Sequence, residues 1–464
     1  MHVINHRLHR PSKHGRNKTR LIIIGIATVF GLFVAANLFM LALYHNKALP
    51  KYQVGSMDIG GKSFAQIDKM LQTQTLPEAI TITKGLQSQS VKLSALGILV
   101  DKPKTTEAVK DRPLVPLLSL VMHHTVPLVL QSDTPKAAQA LTTYDTEFSR
   151  APTDKHIVFK GGAFTTEDAA DGYGFDEEAT AKQAFKAVAD GKTTVHAITK
   201  TLPRGSNTAD LTSQVNTLQK QLQTKVTFTI GSQKVQPSSN DVGSWYAPDG
   251  NTMVISDDLT GAYLDKLGSK YGVGVANRSD LITAIKYVLG KNLATNFRVS
   301  TTAASSMRTY CTAVNGVPES ELNDLIGKLA ATYSDVRGWN NGGKIAFKHV
   351  SSGCDYKVVI AAPSLMTSYG SICDDYYNCQ VGNNVIVNND RWTTATDPWN
   401  KTGQNLETYR LLIINHETGH RLGFRDYNVC SGAGQPAPVM MQQSIDLMGC
   451  TFNVWPLQSE LDKL

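Results

Sequence analysis

The chain has 464 residues, of which 41% are hydrophobic and 18% charged, a composition that excludes a disordered or low-complexity protein and leaves room for several domains. The formal net charge of +7 is modest, and Lys and Arg are concentrated before Leu21, while the first acidic residue is Asp58. That distribution argues against a nucleic-acid-binding surface, which needs a basic face on a folded domain.

Leu21 to Tyr44 is apolar apart from Asn37. At about 1.5 Å per residue a helix of this length crosses a bilayer core. Arg7, Arg10, Lys13, Arg16, Lys18 and Arg20 precede it, which predicts a cytoplasmic basic tail over 1–20, a single transmembrane anchor over 21–44 and everything after it outside the cytoplasm. A cleaved signal peptide is the alternative, but its apolar region is shorter, about 7–15 residues, and ends in small residues rather than Leu-Ala-Leu-Tyr-His-Asn.

Residues 45–56 read as a linker. A first α/β unit is expected over 52–205, with a helix from Ser63, strands at Ala79 to Thr83 and Val91 to Leu93, a further strand at Ile157 to Phe159, a helix over Glu177 to Ala189 and a strand from Thr194 to Lys200. The apolar run Val115 to Leu130 is broken by Pro116 and Pro127, so a buried helix is expected there rather than a second span. Adjacent His123 and His124 would point about 100° apart on a helix and read as packing or surface residues. A partial second unit is expected over 206–300. Its helix (Leu211 to Leu222), Thr-rich strand (Val226 to Ile230) and segment Asp241 to Trp245 repeat the order of helix, Ile80 to Thr83 and Leu93 to Gly97, which suggests a degenerate internal repeat. Asp58-Ile-Gly-Gly, Leu96-Gly and Gly172-Tyr-Gly-Phe-Asp176 give residues 52–295 a resemblance to the peptidoglycan-binding-like domains found beside VanW-type proteins; the resemblance implies a wall-binding role.

All six cysteines lie beyond residue 310, as expected of disulfides in an exported domain. The spacing favours Cys373 with Cys379 as a local loop and Cys430 with Cys450 as a clip, leaving Cys311 with Cys354. No Cys-x-x-Cys is present to suggest a cysteine metal cluster.

The chemistry concentrates in Asn415-His416-Glu417-Thr418-Gly419-His420-Arg421-Leu422-Gly423-Phe424-Arg425-Asp426. On a helix running from Leu406 to Leu422, His416 and His420 leave one side a turn apart, a spacing that suits two imidazole ligands on one Zn²⁺. Glu417 adjoins a ligand without being in line with it, so it suits the general base of a metal-assisted hydrolysis. Gly423 permits the left-handed turn that sends the chain back toward the metal. Asp426, ten positions after His416, falls where a third ligand belongs in the metzincin pattern, with Asp446 or a more distant residue as the alternative. Met440 or Met441 suits a methionine turn beneath the metal. Val385 to Asn388 is expected as the edge strand of the cleft, with Arg391 and Trp392 beside it as cleft candidates; Arg391 could equally pair with a carboxylate in a structural role.

From about Arg308 to Pro456 the chain resembles the actinobacterial DUF3152 family. The shared features include Tyr310, a helix ending at Trp339, the strand Lys344 to Phe347, Cys373 and Cys379, Tyr409-Arg410, the His416-Glu417-x-Gly419-His420 motif, Ala437-Pro438-Val439-Met440-x-Gln442-Gln443 and Trp455-Pro456. The resemblance implies a zincin-like domain over 305–464. Where the family pattern suggests a third His, this chain has Asp426, and in that it is similar to snapalysin-like peptidases. The expectation is therefore an α+β protein: an N-terminal transmembrane helix, two α/β peptidoglycan-binding-like units and a bacterial zincin-like metallopeptidase domain with zinc as cofactor. A protein or peptide substrate is expected, with a peptidoglycan stem-peptide hydrolase, or a wall-binding or adhesion protein carrying structural zinc, as the rival readings.

Overall fold

The computed structural model describes residues 13–73, 76–204, 210–301, 306–427 and 429–464. Most of the expected basic tail, including Arg7 and Arg10, lies outside the described residues. The fold is mixed α+β. It begins with a helix, Lys13–Leu43, whose stretch Arg20–Leu43 is long and apolar enough to be a membrane span or a signal sequence.

The remainder forms two compact units, Met1–Thr153 with Ala170–Gly205, and Asp154–Ala169 with Ser206–Leu464. In the first, the antiparallel hairpin Ala79–Lys84 and Gln87–Lys92 takes Thr194–His196 as a parallel third strand, delivered by the helix Glu177–Ala189. Ile80, Ile82, Val91 and Val195 point into a core shared with Ala184 of that helix. The second unit repeats this order. Val226–Ile230 pairs antiparallel with Gln233–Val235 and parallel with Thr295–Arg298, which follows the helix Arg278–Lys291. The internal repeat is thus a repeat of topology.

Three expectations about the first half need correcting. Residues 45–56 are not a free linker: Ala48, Leu49, Tyr52 and Val54 are fully buried, and Tyr52–Val54 is a strand. The run from Val115 is not a buried helix. It forms a short 3-10 turn, Pro116–Leu120, followed by the strand His124–Val126, which is drawn out of any helix by parallel pairing with Tyr52–Val54, and several of its apolar side chains face outward. Nor are 52–205 and 206–300 the packing units. The hairpin His156–Lys160 and Ala163–Glu167 belongs to the second unit, where Phe164 packs edge-on to Tyr246 with ring centres 4.9 Å apart.

The second unit continues into a five-stranded sheet built from β1 (Ser306–Asn315), β2 (Ile345–His349), β3 (Tyr356–Ala361), β4 (Cys379–Val381) and β5 (Asn384–Asn388), in the order β2-β1-β3-β5-β4. All neighbours are parallel except β4 with β5. The expected edge strand Val385 to Asn388 is therefore internal, and Cys379–Val381 is the edge. The Cys373–Cys379 disulfide and the two-residue loop Gly382-Asn383, with Gly382 at φ 55°, fold β4 back along β5. Cys311–Cys354 and Cys430–Cys450 are the other two disulfides, so the pairing favoured by spacing is the one observed.

Two helices cover the sheet: α1 (Ser320–Ser334), which stops short of Trp339 with Asp335 as its C-cap, and α2 (Leu406–Arg421). The helix Arg278–Lys291 packs along α1, where Gly327 lets the Tyr287 ring approach and any Cβ would collide with it. Asp280 at its start accepts hydrogen bonds from the Tyr310 hydroxyl (2.8 Å) and His349 N (3.1 Å). Residues 206–300 thus share a core with Ala330 and Ala331 of α1 and a buried polar network with the sheet, which is why no boundary falls near 300.

The first turn of α2 is tied down by charge. Glu407 accepts from buried Lys328 (3.1 Å), from the Tyr287 hydroxyl (2.9 Å) and from Arg410 (3.0 Å), and Arg410 also reaches Asp324 at 2.9 Å. Burial by itself would raise the Glu407 carboxyl, but Lys328, Tyr287 and Arg410 together hold it below its ordinary value. A carboxyl lowered on folding adds stability above its unfolded pKa and loses it as the pH falls through the folded value. Glu407→Gln is expected to cost on the order of 3 kcal/mol at pH 7 by leaving Lys328 unpaired. The gap to the wild type, read from urea unfolding, should close below about pH 4.

Candidate metal centre

Helix α2 starts at Asn405, whose side chain accepts from Thr408 N (2.8 Å). Its inner face, with Tyr409, Leu412, Ile413 and Thr418, is buried. Around the candidate site the helix is held by polar contacts as well: Trp339 Nε1 donates to the Asn415 carbonyl (2.8 Å), Asn415 Nδ2 to the Val454 carbonyl (2.8 Å), and Tyr333 and Thr418 share a hydroxyl hydrogen bond of 3.0 Å.

The helix ends in a Schellman turn. Phe424 N bonds back to the Gly419 carbonyl and Gly423 N to that of His420, with Gly423 at φ 101°. This reversal returns the chain to the helix face and brings Asp426 Oδ1 to 3.2 Å from His416 Nε2 and 3.5 Å from His420 Nε2. The ligand atoms of His416, His420 and Asp426 lie within 4.8 Å of one another, the one such cluster of His, Cys, Asp and Glu among the described residues. Asp446 is not part of it and instead accepts from Met448 N.

The ring orientations suit a cation. His416 Nδ1 lies 2.9 Å from the Val439 carbonyl and His420 Nδ1 3.0 Å from the Phe424 carbonyl. A carbonyl only accepts, so each Nδ1 carries a proton and each Nε2 faces Asp426. Between themselves, the two imidazoles hold Asp426 well below the carboxylate range. Burial works against a charged His420, yet its hydrogen bond to Asp426, with Glu417 and the Phe424 carbonyl, brings it up to about 9. A metal ligand must be neutral imidazole, so loading this site releases protons. Glu417 is only 6% exposed, and burial pushes its carboxyl up against the opposing pull of His416 and His420.

These four side chains share a cleft of about 450 Å³ with Ile372, Asp374, Tyr377, Asn378, Cys379, Gln380 and the segment Met441 to Ile445. The disulfide loop and β4 form one wall and the segment after the methionines the other. Both methionines are buried; Met440 packs under α2, against Gly419 and Trp339, whereas Met441 lines the cleft. Arg391 and Trp392 do not line it. Trp392 is a core residue with its ring under the Arg410 guanidinium, and Arg391 donates to the Ala395 carbonyl (2.7 Å) and stacks on Tyr376, so its role is structural although its partner is not a carboxylate.

Two further residues build the site. Buried Glu460 accepts from Val439 N and Met440 N (3.1 Å each) and Leu457 N (2.7 Å), fixing the turn whose carbonyl orients His416. Gln442 Nε2 donates to Asp426 Oδ2 (3.3 Å), and Tyr427 N to the Met440 carbonyl (3.0 Å), so the third-ligand loop and the methionine turn are joined. Gln442 stands in a recognisable motif and could have been marked. The bond of Glu460 to Leu457 N is local, but nothing in the sequence connects Glu460 to the amides of Val439 and Met440 some twenty residues earlier.

Residues 292–456 match the model of a family described as "Protein of unknown function (DUF3152)". Over this span the C-terminal part of the chain is similar to the DUF3152 family. The matched span begins at the end of the helix that packs on α1 and holds every residue of the candidate centre except Glu460. No curated protein matches the chain. A solved structure of an Enterococcus faecium L,D-transpeptidase mutant aligns with 20% of this chain and 46% of its own, at 14% identity and a TM-score of 0.18, a level that carries no argument about the matched span or the rest. The chain thus spans less than half of that protein.

Packing beneath the site gives a direct test. A Cβ at Gly419 would collide with Met440 Sδ and the Trp339 ring, neither of which has room to retreat. Gly419→Ala is expected to destabilise the protein by about 1–3 kcal/mol in denaturant unfolding.

Proposed function

We propose that the protein is a membrane-anchored, extracytoplasmic zinc peptidase with a zincin-like catalytic domain. The observation that carries this reading is the convergence of His416, His420 and Asp426 in an open cleft, both Nδ1 atoms satisfied by carbonyls and Glu417 beside them. The two His nitrogens and one carboxylate oxygen are a donor set that suits zinc, and three protein ligands facing a cleft are the pattern of a catalytic rather than a structural site. Bound there, zinc would supply Lewis-acid polarisation of a peptide carbonyl and acidify a water.

The chain's own residues supply the rest. His416, His420 and Asp426 hold the ion. Glu417, kept from water and raised by burial, takes the proton from the attacking water and passes it to the leaving amine. The edge strand β4 runs along the cleft through Cys379 and Gln380, where an extended peptide can add as a further strand and lie across the ligands. The carboxylate in third position would make a bound ion less electropositive than three imidazoles would. The apolar helix Arg20–Leu43 would serve as the anchor with the preceding basic residues in the cytoplasm, and the repeated α/β topology would hold the catalytic domain at the wall. Peptidoglycan stem peptides are the second candidate substrate, supported by the wall-binding resemblance of residues 52–295.

The test is to load the full-length protein with equimolar zinc and assay peptide-library and muropeptide cleavage beside Glu417→Gln and Asp426→Ala. Glu417→Gln should keep the zinc and lose at least about 100-fold in kcat. Asp426→Ala should lose zinc affinity and activity together. Zinc retention by the wild type without cleavage of either substrate class would replace the peptidase with a structural-zinc binding protein.

A further inference from the structure

The corrected segment after Leu114 raises a question that the catalytic reading leaves open. Leu114 (102%), Leu118 (49%), Leu120 (47%), Val121 (70%) and Met122 (61%) are all exposed, a concentration of apolar surface that a protein facing only water rarely presents.

The position of this loop is fixed by five hydrogen bonds with the apolar helix and the chain that leaves it. At its entry, Arg112 Nη2 donates to the carbonyls of Tyr44 (3.0 Å) and Lys47 (2.8 Å), directly beyond the helix end. At its exit, His124 N donates to the Lys51 carbonyl (3.0 Å), and Lys51 Nζ reaches back to the Val121 carbonyl (3.4 Å). Between them, Leu117 N donates to Asn37 Oδ1 (3.0 Å). Asn37 lies six residues before the last helical residue, Leu43, so the loop reaches about 9 Å back along the helix. The apolar stretch Arg20–Leu43 is about 36 Å long against a hydrocarbon core of about 30 Å, which puts Asn37 inside that core. Its amide is satisfied there at both ends, since Nδ2 donates to the Phe33 carbonyl (2.9 Å) while Oδ1 accepts from Leu117. The single strongly polar residue of the span is thus the docking point for the loop.

We propose that Leu114–Met122 is a second membrane element, a loop that dips into the outer leaflet beside the anchor and seats Leu118, Leu120, Val121 and Met122 among acyl chains. This rests on the anchor reading. Lipid is the occupant because the loop runs alongside the last two turns of the helix, so the medium around Leu38 and Phe39 is also the medium around Leu118 and Leu120. Arg112 and Lys51 mark headgroup depth at either end, where long cationic side chains settle. With about 3 Å of the apolar stretch beyond the core at each end, the loop enters the core by about 6 Å, the depth of an interfacially inserted element. Such a loop gives the first unit a second hold on the membrane and stops it rotating freely about a single helix.

All six native cysteines are paired, so a single introduced cysteine is the thiol that labels. The full-length protein, reconstituted in phosphatidylcholine–phosphatidylglycerol vesicles, would carry a small environment-sensitive fluorophore at Leu120→Cys or, independently, Val121→Cys. Val29→Cys in the helix and Leu86→Cys at an exposed turn serve as references. The proposal expects the Leu120 and Val121 labels to be quenched by nitroxide lipids as the Val29 label is, and several-fold less by aqueous iodide than the Leu86 label. If they are as open to iodide as Leu86 while Val29 is in lipid, the anchor stands and the loop proposal falls. If they are shielded from both quenchers, a protein surface covers the loop and the proposal also falls. A Val29 label untouched by nitroxide lipid would overturn the anchor reading, and the loop with it.

Discussion

Two imidazoles one helical turn apart can share a cation only if each ring is turned by its other nitrogen, and the candidate centre depends on the two carbonyls that do this. One belongs to Phe424 and is delivered by the turn that ends α2. The other belongs to Val439 and is held in place by Glu460. The same reversal at Gly423 that supplies the Phe424 carbonyl also brings Asp426 to both Nε2 atoms. Helix termination, tautomer selection and the third ligand are therefore one local event. A residue with a Cβ at Gly423 would strain all three together, since its φ of 101° lies in the region that glycine tolerates.

The helix that carries this turn is fixed at both ends by different physics. At its start, Lys328, Arg410 and Tyr287 surround Glu407, a network that reaches through Tyr287 to the helix Arg278–Lys291. Near its end, Trp339, Met440 and Gly419 pack without slack. The repeat-like segment 206–300 is thus more than a spacer, because it closes the core over α1 and contributes a hydrogen bond to the first turn of the site-bearing helix. The whole second unit stands behind the geometry of the cleft, and a domain cut near residue 300 would remove part of that support.

Where one short stretch decides the outcome, the sequence is legible: the i, i+4 histidines share a helix, Gly423 ends it, Asp426 comes back to both rings, and Cys373 closes a local loop with Cys379. The methionine turn was legible only as a pair, because packing under Gly419 is what separates Met440 from Met441. What escaped depends on long-range pairing. The edge of the sheet is β4 rather than β5, since a disulfide loop doubles the chain back. Trp392 packs in the core and Arg391 is taken up by Ala395 and Tyr376, because the strand they follow is internal. Glu460 acts on backbone amides that no periodicity connects to it. The run from Val115 is apolar enough to suggest burial, yet strand pairing with Tyr52–Val54 takes its second half and the short turn before it faces outward.

The most direct measurement is the position of the ion itself. Diffraction at the zinc edge from crystals of the zinc-loaded protein should give an anomalous peak about 2.0–2.2 Å from His416 Nε2, His420 Nε2 and a carboxylate oxygen of Asp426, with Glu417 outside bonding distance. A peak ligated through either Nδ1, a peak with Glu417 as a fourth protein ligand, or no peak at these residues would contradict the account.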